Sequence, residues 1–431
     1  EDVFAYSNRS GDDRALVVFN NRYSSTSGWI RMSSAYVEKS LAGGRHLRQR
    51  TLGESLGLLG RLGMYAACRD AITGLEYLYR AGDIVERGLH LELHAYQCHT
   101  FLEWRDLRED PAHPWGQLCD TLAGQGVSSL EDALRDLQLR PVCNAFRELI
   151  APNVAEALAK CEEGGSAEAK SKQRSATLIL IRKRAEKLLN ELSRYLASQI
   201  VPAVSESGRL ATPELAISAL SDRVQAAMVL QELSAKAHVR RSAEAGTVLT
   251  VLAANSVGVW STILAWCALG ALGILLDPHE TEAAAVRLFD AIRLRGTLAE
   301  AFGECGVEGE ERWRAAARIR ACFAHASHSS APYSWIHDPD VAWVIGVHQH
   351  EGMSYVVKEE FEKWLWWMEF PKLLKAADKE RPAAEEIVAL QQEIGMRMEI
   401  LAGAGFRIES LDDSMAPPGM EKEKQQGNKS D

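Results

Sequence analysis

No two of the eight cysteines (Cys68, Cys98, Cys119, Cys143, Cys161, Cys267, Cys305 and Cys322) stand in a C-x-x-C pair or at a regular spacing. A thiolate zinc site and a disulfide framework therefore have no carrier in the sequence. Such usage matches a reducing compartment, where cysteine serves as a small buried hydrophobe, and a cytoplasmic location is expected. Also missing are a G-x-S-x-G elbow, a P-loop and a glycine pattern of the dinucleotide-binding kind after a strand. Esterase-type acyl transfer, P-loop phosphoryl transfer and nicotinamide chemistry lose their usual signatures, and no cofactor is expected. Basic residues do not dominate: 49 Lys and Arg stand against 59 Asp and Glu, for a formal net charge of −10. A nucleic-acid partner, which needs a surplus of cations to displace counterions, is not expected. The one local basic stretch, Lys170 to Lys187, lies on a helical pattern and reads as a solvated helix face. No internal repeat of a solenoid kind is evident.

What is present is globular. The 431 residues are 46% hydrophobic and 25% charged, enough for several cores. The expected class is α+β: an N-terminal antiparallel β-sandwich, residues 1–108, followed by a larger, mostly α-helical region with a small hairpin. Val3–Tyr6 and Ala15–Asn20 are short apolar, β-branched and aromatic runs, and Ser10-Gly-Asp-Asp13 between them supplies the chemistry of a hairpin turn. Further strands are predicted over Gly28–Tyr36, Leu75–Tyr79, Leu89–His94 and Cys98–Trp104. The chain opens on Glu1 and alternates like a strand by Val3, so the polypeptide is expected to begin further upstream.

From residue 109 the period becomes helical. Leu130, Ala133, Leu134 and Leu137 recur at i, i+3, i+4 and i+7 after a Ser128 or Ser129 cap, and Pro141 is expected to end or restart the pattern. Residues 109–163 read as a helical connector and 164–330 as a helical domain. Gly164-Gly165-Ser166 reads as a joint, and residues 175–200 as a long amphipathic helix stopped by Pro202. Residues 245–276 carry no charged side chain and exceed the roughly 20 residues that cross a bilayer. Thr247, Thr250, Asn255, Ser256, Ser261, Thr262 and many Ala and Gly residues favour a buried core helix, or a helix pair broken near Gly258, over a membrane span. Residues 331–411 hold a predicted hairpin, Trp343–His348 with Met353–Val357, and a Trp-rich helix that Pro371 is expected to interrupt. Residues 412–431 read as a disordered tail.

No constellation of catalytic groups emerges. Leu89-His-Leu-Glu-Leu-His94 alternates strictly, placing His90, Glu92 and His94 on the face opposite three leucines. The two histidines would stand roughly 13 Å apart on a strand rising about 3.3 Å per residue, too far for one ion, so no metal is expected. Cys322, His325 and His328 share a helical pattern without an evident third partner. The tryptophans at 335–343 and 364–367 fit a core better than a sugar-stacking platform.

Two stretches carry a resemblance. Val3-Phe-Ala-Tyr-Ser-Asn-Arg-Ser-Gly-Asp-Asp-Arg-Ala-Leu-Val-Val-Phe-Asn-Asn21 resembles the opening of the C-terminal β-domain of glycoside hydrolase family 13, the α-amylase family. Leu89-His-Leu-Glu-Leu-His-Ala-Tyr-Gln-Cys-His-Thr-Phe-Leu-Glu103 resembles that domain's closing strands. Residues 37–70 depart from a minimal version of the domain. The later helices, Trp343–Trp367 included, are similar to the C-terminal extension of some large bacterial members. The resemblance implies a retaining hydrolase or transglycosylase acting on α-glucosidic bonds, whose catalytic carboxylates lie on a (β/α)8 barrel preceding the β-domain. None of the barrel's signature regions occurs here, so no catalytic residue is assigned. The implied role is accessory: to stabilise or position the upstream barrel of the same polypeptide, with Tyr23 and Trp29 as candidate contacts to α-glucan. A helical scaffold protein, and a membrane-attached protein held by residues 245–276, are the competing readings.

Overall fold

The computed structural model describes residues 2–39, 45–162, 166–198, 211–235, 256–326, 334–377 and 384–409. Gly43-Gly44, the Gly164-Gly165 joint, Pro202, residues 245–255, His328 and the tail 412–431 lie outside the described residues. The fold is α+β, and the chain divides at Arg140/Pro141 into two compact units.

The first unit is organised by strands β1 (Val3–Ser10), β2 (Asp13–Asn20), β3 (Thr26–Ile30), β4 (Tyr36–Lys39), β5 (Arg45–Arg48), β6 (Met64–Asp70), β7 (Glu76–Arg80), β8 (Leu89–Leu93) and β9 (Cys98–Arg108). Among them lie helices α1 (Leu52–Leu56) and α2 (Ala81–Arg87), followed by α3 (Trp115–Leu122) and α4 (Leu130–Leu149), of which the residues up to Arg140 belong to this unit and the rest to the second. Five strands form an antiparallel sheet in the order β1-β2-β9-β6-β7; β3 pairs with β8, and β4 with β5. The Ser10–Asp13 pair closes the first hairpin, and Gly11 takes the positive φ of +61° that its two-residue turn demands.

Each face of the sheet has its own cover. On one side Leu16, Val18, Ala66, Cys68 and Phe101 pack with Leu89 and Leu93 of β8 and with Leu52, Leu56 and Ile84 of the two short helices. On the other, Tyr65, Ala67 and Leu78 pack with Trp115 and Leu118 of α3 and with Leu130 and Leu134 of α4. The layer opposite the sheet is thus a two-stranded ribbon with two helices, a thin second half of a sandwich. Helices α3 and the start of α4, expected to form a connector, are core elements of this unit. Glu76, buried on β7, anchors α4 by accepting the Leu130 N–H at 2.8 Å, while Arg69 and Arg105 donate to its other oxygen.

Several boundaries differ from expectation. Gly28–Tyr36 is not one strand, because the chain leaves β3 after Ile30 and re-enters extended structure only at Tyr36. Strand β6, buried on both faces, has no counterpart in the sequence reading. Pro141 and Pro371 do not end their helices; Leu139, Val142 and Phe146 on either side of Pro141 are buried, as are Phe370, Leu373 and Leu374 around Pro371.

The second unit comprises α5 (Pro152–Ala159), α6 (Ala167–Ser198), α7 (Pro213–Ala235), α8 (Val257–Leu276), α9 (Thr281–Ala291), α10 (Leu294–Glu304), α11 (Glu311–Ala324), α12 (Pro339–Val344), the hairpin β10 (His348–His350) and β11 (Met353–Tyr355), α13 (Lys358–Ala377) and α14 (Ala384–Gly403). Helix α8 is long and apolar enough to cross a membrane, but 89% of its most apolar stretch is buried, against α5, α7, α9 and α11. Ser256 caps it by accepting the Val259 N–H, and it continues through Gly258 without a break. The hairpin is shorter than expected: Trp343 and Val344 belong to α12, which Pro339 and the Asp338 side chain start as a helix. Its turn uses Glu351 at φ +50° and Gly352 at φ +78°, the pair of positive angles of a type I′ turn. Trp335, Trp364, Trp366 and Trp367 are buried core residues. The basic run Lys170–Lys187 lies on α6, where Arg182 pairs with Glu186, Arg184 and Lys187 with Glu148, and Arg174 with Glu232.

Candidate functional site

The exposed aromatic residues of the β3–β8 ribbon form the best-defined candidate site. Strict alternation on β8 turns Leu89, Leu91 and Leu93 to the core and leaves His90 and Glu92 in solvent. The register pairs Trp29 with His90 and Ser27 with Glu92, so these four side chains share the outer face. The Trp29 and His90 rings meet edge to face at 5.2 Å, and the Arg31 guanidinium carbon lies 5.4 Å from the Trp29 ring centre. The outer row continues to Ser25 and His94, whose Oγ and Nδ1 are 3.4 Å apart.

Beyond this row the two loops are laced together by a buried amide. Asn20 donates from Nδ2 to the carbonyls of Ser24 at 2.9 Å and His94 at 2.8 Å, and the Tyr96 N–H donates to the Arg22 carbonyl at 3.0 Å. Tyr96 sits at φ +53° in the four-residue link from β8 to β9. This geometry sets Tyr96 against Tyr23, ring centres 6.5 Å apart and steeply inclined. Tyr23 is 85% exposed and Trp29 46%, high values for side chains with that much apolar surface to hide. Rings displayed in this way offer flat apolar faces beside a carboxylate, imidazoles and hydroxyls, a mixture suited to the alternating C–H and O–H faces of a pyranose.

Tyr23 and Trp29 were singled out from sequence; the structure gives each a partner, Tyr96 and His90, that sequence reasoning missed. The available signal for Tyr96 was position: an aromatic residue in so short a link between two strands has no core to enter.

Other clusters resolve as structural. His99 Nδ1 lies 2.9 Å from Asp70 Oδ2 and its Nε2 3.1 Å from the Gln97 amide, so both ring nitrogens are engaged and no nucleophile is served. Cys322 and His325 do not act together: burial pushes the Cys322 thiol up to about 12, and His325 Nε2 instead meets Asp338 Oδ2 at 3.0 Å. Among the described residues no group of three or more His, Cys, Asp or Glu could hold a metal ion, and the eight cysteines are free thiols.

Comparison with family models, with curated proteins and with solved structures finds no match for this chain.

Proposed function

We propose that this chain is a non-catalytic, C-terminal part of an α-amylase-like enzyme, and that the β3–β8 ribbon is its α-glucan contact. The observation that carries the reading is the pairing of the two stretches that resemble the α-amylase family. The first forms β1 and β2, the second β8 and β9, and β2 pairs with β9 through Leu16↔Phe101 to Phe19↔Cys98. The β2 and β9 parts of segments some seventy residues apart thus pair in one sheet, as parts of a single domain motif would, while β8 joins β3 in the ribbon. The same second stretch supplies His90 and Tyr96 of the aromatic row. Strand β1 is exposed along its whole length, with Phe4 and Tyr6 in solvent at the sheet edge, and this supports an accessory role beside a larger partner such as an upstream barrel.

Affinity electrophoresis in gels containing amylose tests glucan contact directly. The chain is expected to be retarded, and Trp29→Ala to weaken the retardation by roughly tenfold, the worth of about 1–1.5 kcal/mol of lost ring contact. Unchanged migration would remove the glucan assignment. The parent activity is tested separately, by the coding frame upstream of Glu1: barrel signature regions there support the reading, and an unrelated domain or a stop codon overturns it.

A further inference from the structure

The helical unit contains a cavity of about 170 Å³, walled by Arg223 and Ala226 of α7, Trp266 of α8, Cys322 and Phe323 of α11 and Leu374 of α13. Arg223 is the unusual member. Its guanidinium carbon lies 5.5 Å from the centre of the Trp266 ring, which Phe323 stacks upon at 5.4 Å. Nη1 is buried without a hydrogen-bond acceptor, and among the described residues no carboxylate pairs with the side chain. Arg223 as a whole is half-buried, but a buried donor left without an acceptor is costly to keep, and an apolar residue could have filled the space.

Helix α8 is shaped to receive it. Gly270 lies one turn beyond Trp266, and a Cβ at 270 would overlap Arg223 Nη1. Glycine in the middle of a helix is destabilising relative to alanine, so its presence has a use here: it makes the bay in which the guanidinium rests. The remaining ionisable groups, Asp222, Glu282 and Lys375, line the same cavity but are exposed, where water screens them. With Arg223 they sum to no net charge, which disfavours a dianion and leaves a single inner cation for a single negative charge. The volume is close to the roughly 150 Å³ that accommodates a benzene ring in an engineered apolar cavity.

We propose that this cavity binds a small planar monocarboxylate of the size of benzoate, its carboxylate on the Arg223 guanidinium and its ring among Trp266, Phe323 and Leu374. The site is independent of the glucan reading.

The test is fluorine NMR of 4-fluorobenzoate titrated into the whole chain. Saturable line broadening is expected with a Kd below ~1 mM. The uncharged isostere 4-fluorobenzamide should bind at least about tenfold more weakly, because it loses the charge-assisted bond. Arg223→Met should weaken 4-fluorobenzoate binding by a similar factor, whereas Lys375→Met at the rim should change it less than about threefold. Broadening that fails to saturate by ~10 mM, or equal affinity for acid and amide, overturns the proposal on the unmutated protein alone, however well the Arg223 variant folds.

Discussion

Asp70→Ala is the substitution with the clearest expected cost. Asp70 is fully buried at the end of β6, and its two oxygens accept four hydrogen bonds: from the Thr100 N–H at 2.9 Å, the Ile72 N–H at 3.2 Å, the Thr73 hydroxyl at 2.9 Å and the His99 ring at 2.9 Å. Alanine removes every acceptor and leaves two backbone donors and an imidazole in the core. Each stranded group costs about 1–3 kcal/mol; with three of them and partial relaxation of the site, a total near 4 kcal/mol is expected. Asp70→Asn should cost less than the alanine change, because its carbonyl still serves Thr100 and Ile72 and its amide can donate to the Thr73 hydroxyl, although it faces the His99 Nδ1–H donor to donor. Hydrogen exchange in peptides covering 64–70 and 98–108 reads the local effect: protection should fall by roughly two to three orders of magnitude in the alanine variant. The pH dependence adds a second readout. Burial alone would raise the Asp70 carboxyl, but the bonds from Thr100, His99, Thr73 and Ile72 outweigh it and hold the group below the usual carboxylate range. Its stabilisation is therefore complete above the unfolded value of about 3.9 and disappears as pH falls through the folded one. Protection within about tenfold of wild type in Asp70→Ala, with no change in acid sensitivity, would refute this account.

Gly273 and Gly296 make a matched pair in the helical unit. A Cβ at 273 would overlap the Thr281 carbonyl where α8 meets α9, so Gly273→Ala should destabilise by about 1–3 kcal/mol, whereas 296 faces open space and Gly296→Ala should stabilise by about 0.5–1 kcal/mol; urea denaturation with opposite shifts checks both. Because α8 is buried against its neighbours, the chain expressed without detergent should remain in the supernatant after high-speed centrifugation, and release from the membrane fraction only by detergent would contradict this. Purified chain should release no reducing sugar from maltoheptaose above a heat-inactivated control, since a retaining glycosidase needs two carboxyl groups roughly 5–5.5 Å apart across the bond and the sequence lacks the barrel that holds them; clear release would place a catalytic centre within these residues.

Where one face is wet and the other dry, the sequence was legible. Leu89–Leu93 alternates because its ribbon has a solvent side, and the β1–β2 hairpin announces itself through Gly11 and the apolar runs beside it. Strand β6 was silent for the opposite reason. Helices cover one of its faces and the ribbon the other, so Ala66, Ala67 and Cys68 are small residues without alternation or β-branching. Pro141 and Pro371 misled because a local breaker was outweighed by packing on both sides of it, and Trp343 because a capped helix start at Asp338-Pro339 took precedence over an apolar run. At the candidate site Tyr23 and Trp29 could be picked from composition and neighbourhood, but their partners depend on register and on the lacing by Asn20, which only long-range pairing determines.

The sheet order β1-β2-β9-β6-β7 also sets a timetable. Two hairpins, β1–β2 and β6–β7, are local in sequence and can close within microseconds of leaving the ribosome. Neither reaches the other until β9, the last strand of this sheet to be made, slides between them and satisfies both inner edges. At a synthesis rate of roughly 5–20 residues per second the first hairpin waits several seconds with one such edge unmet. During that interval the nascent chain carries Leu16 and Val18, buried in the finished fold, uncovered, so its greatest exposure to wrong pairing comes before β9 is available, and a chaperone that shields it has to act on the ribosome.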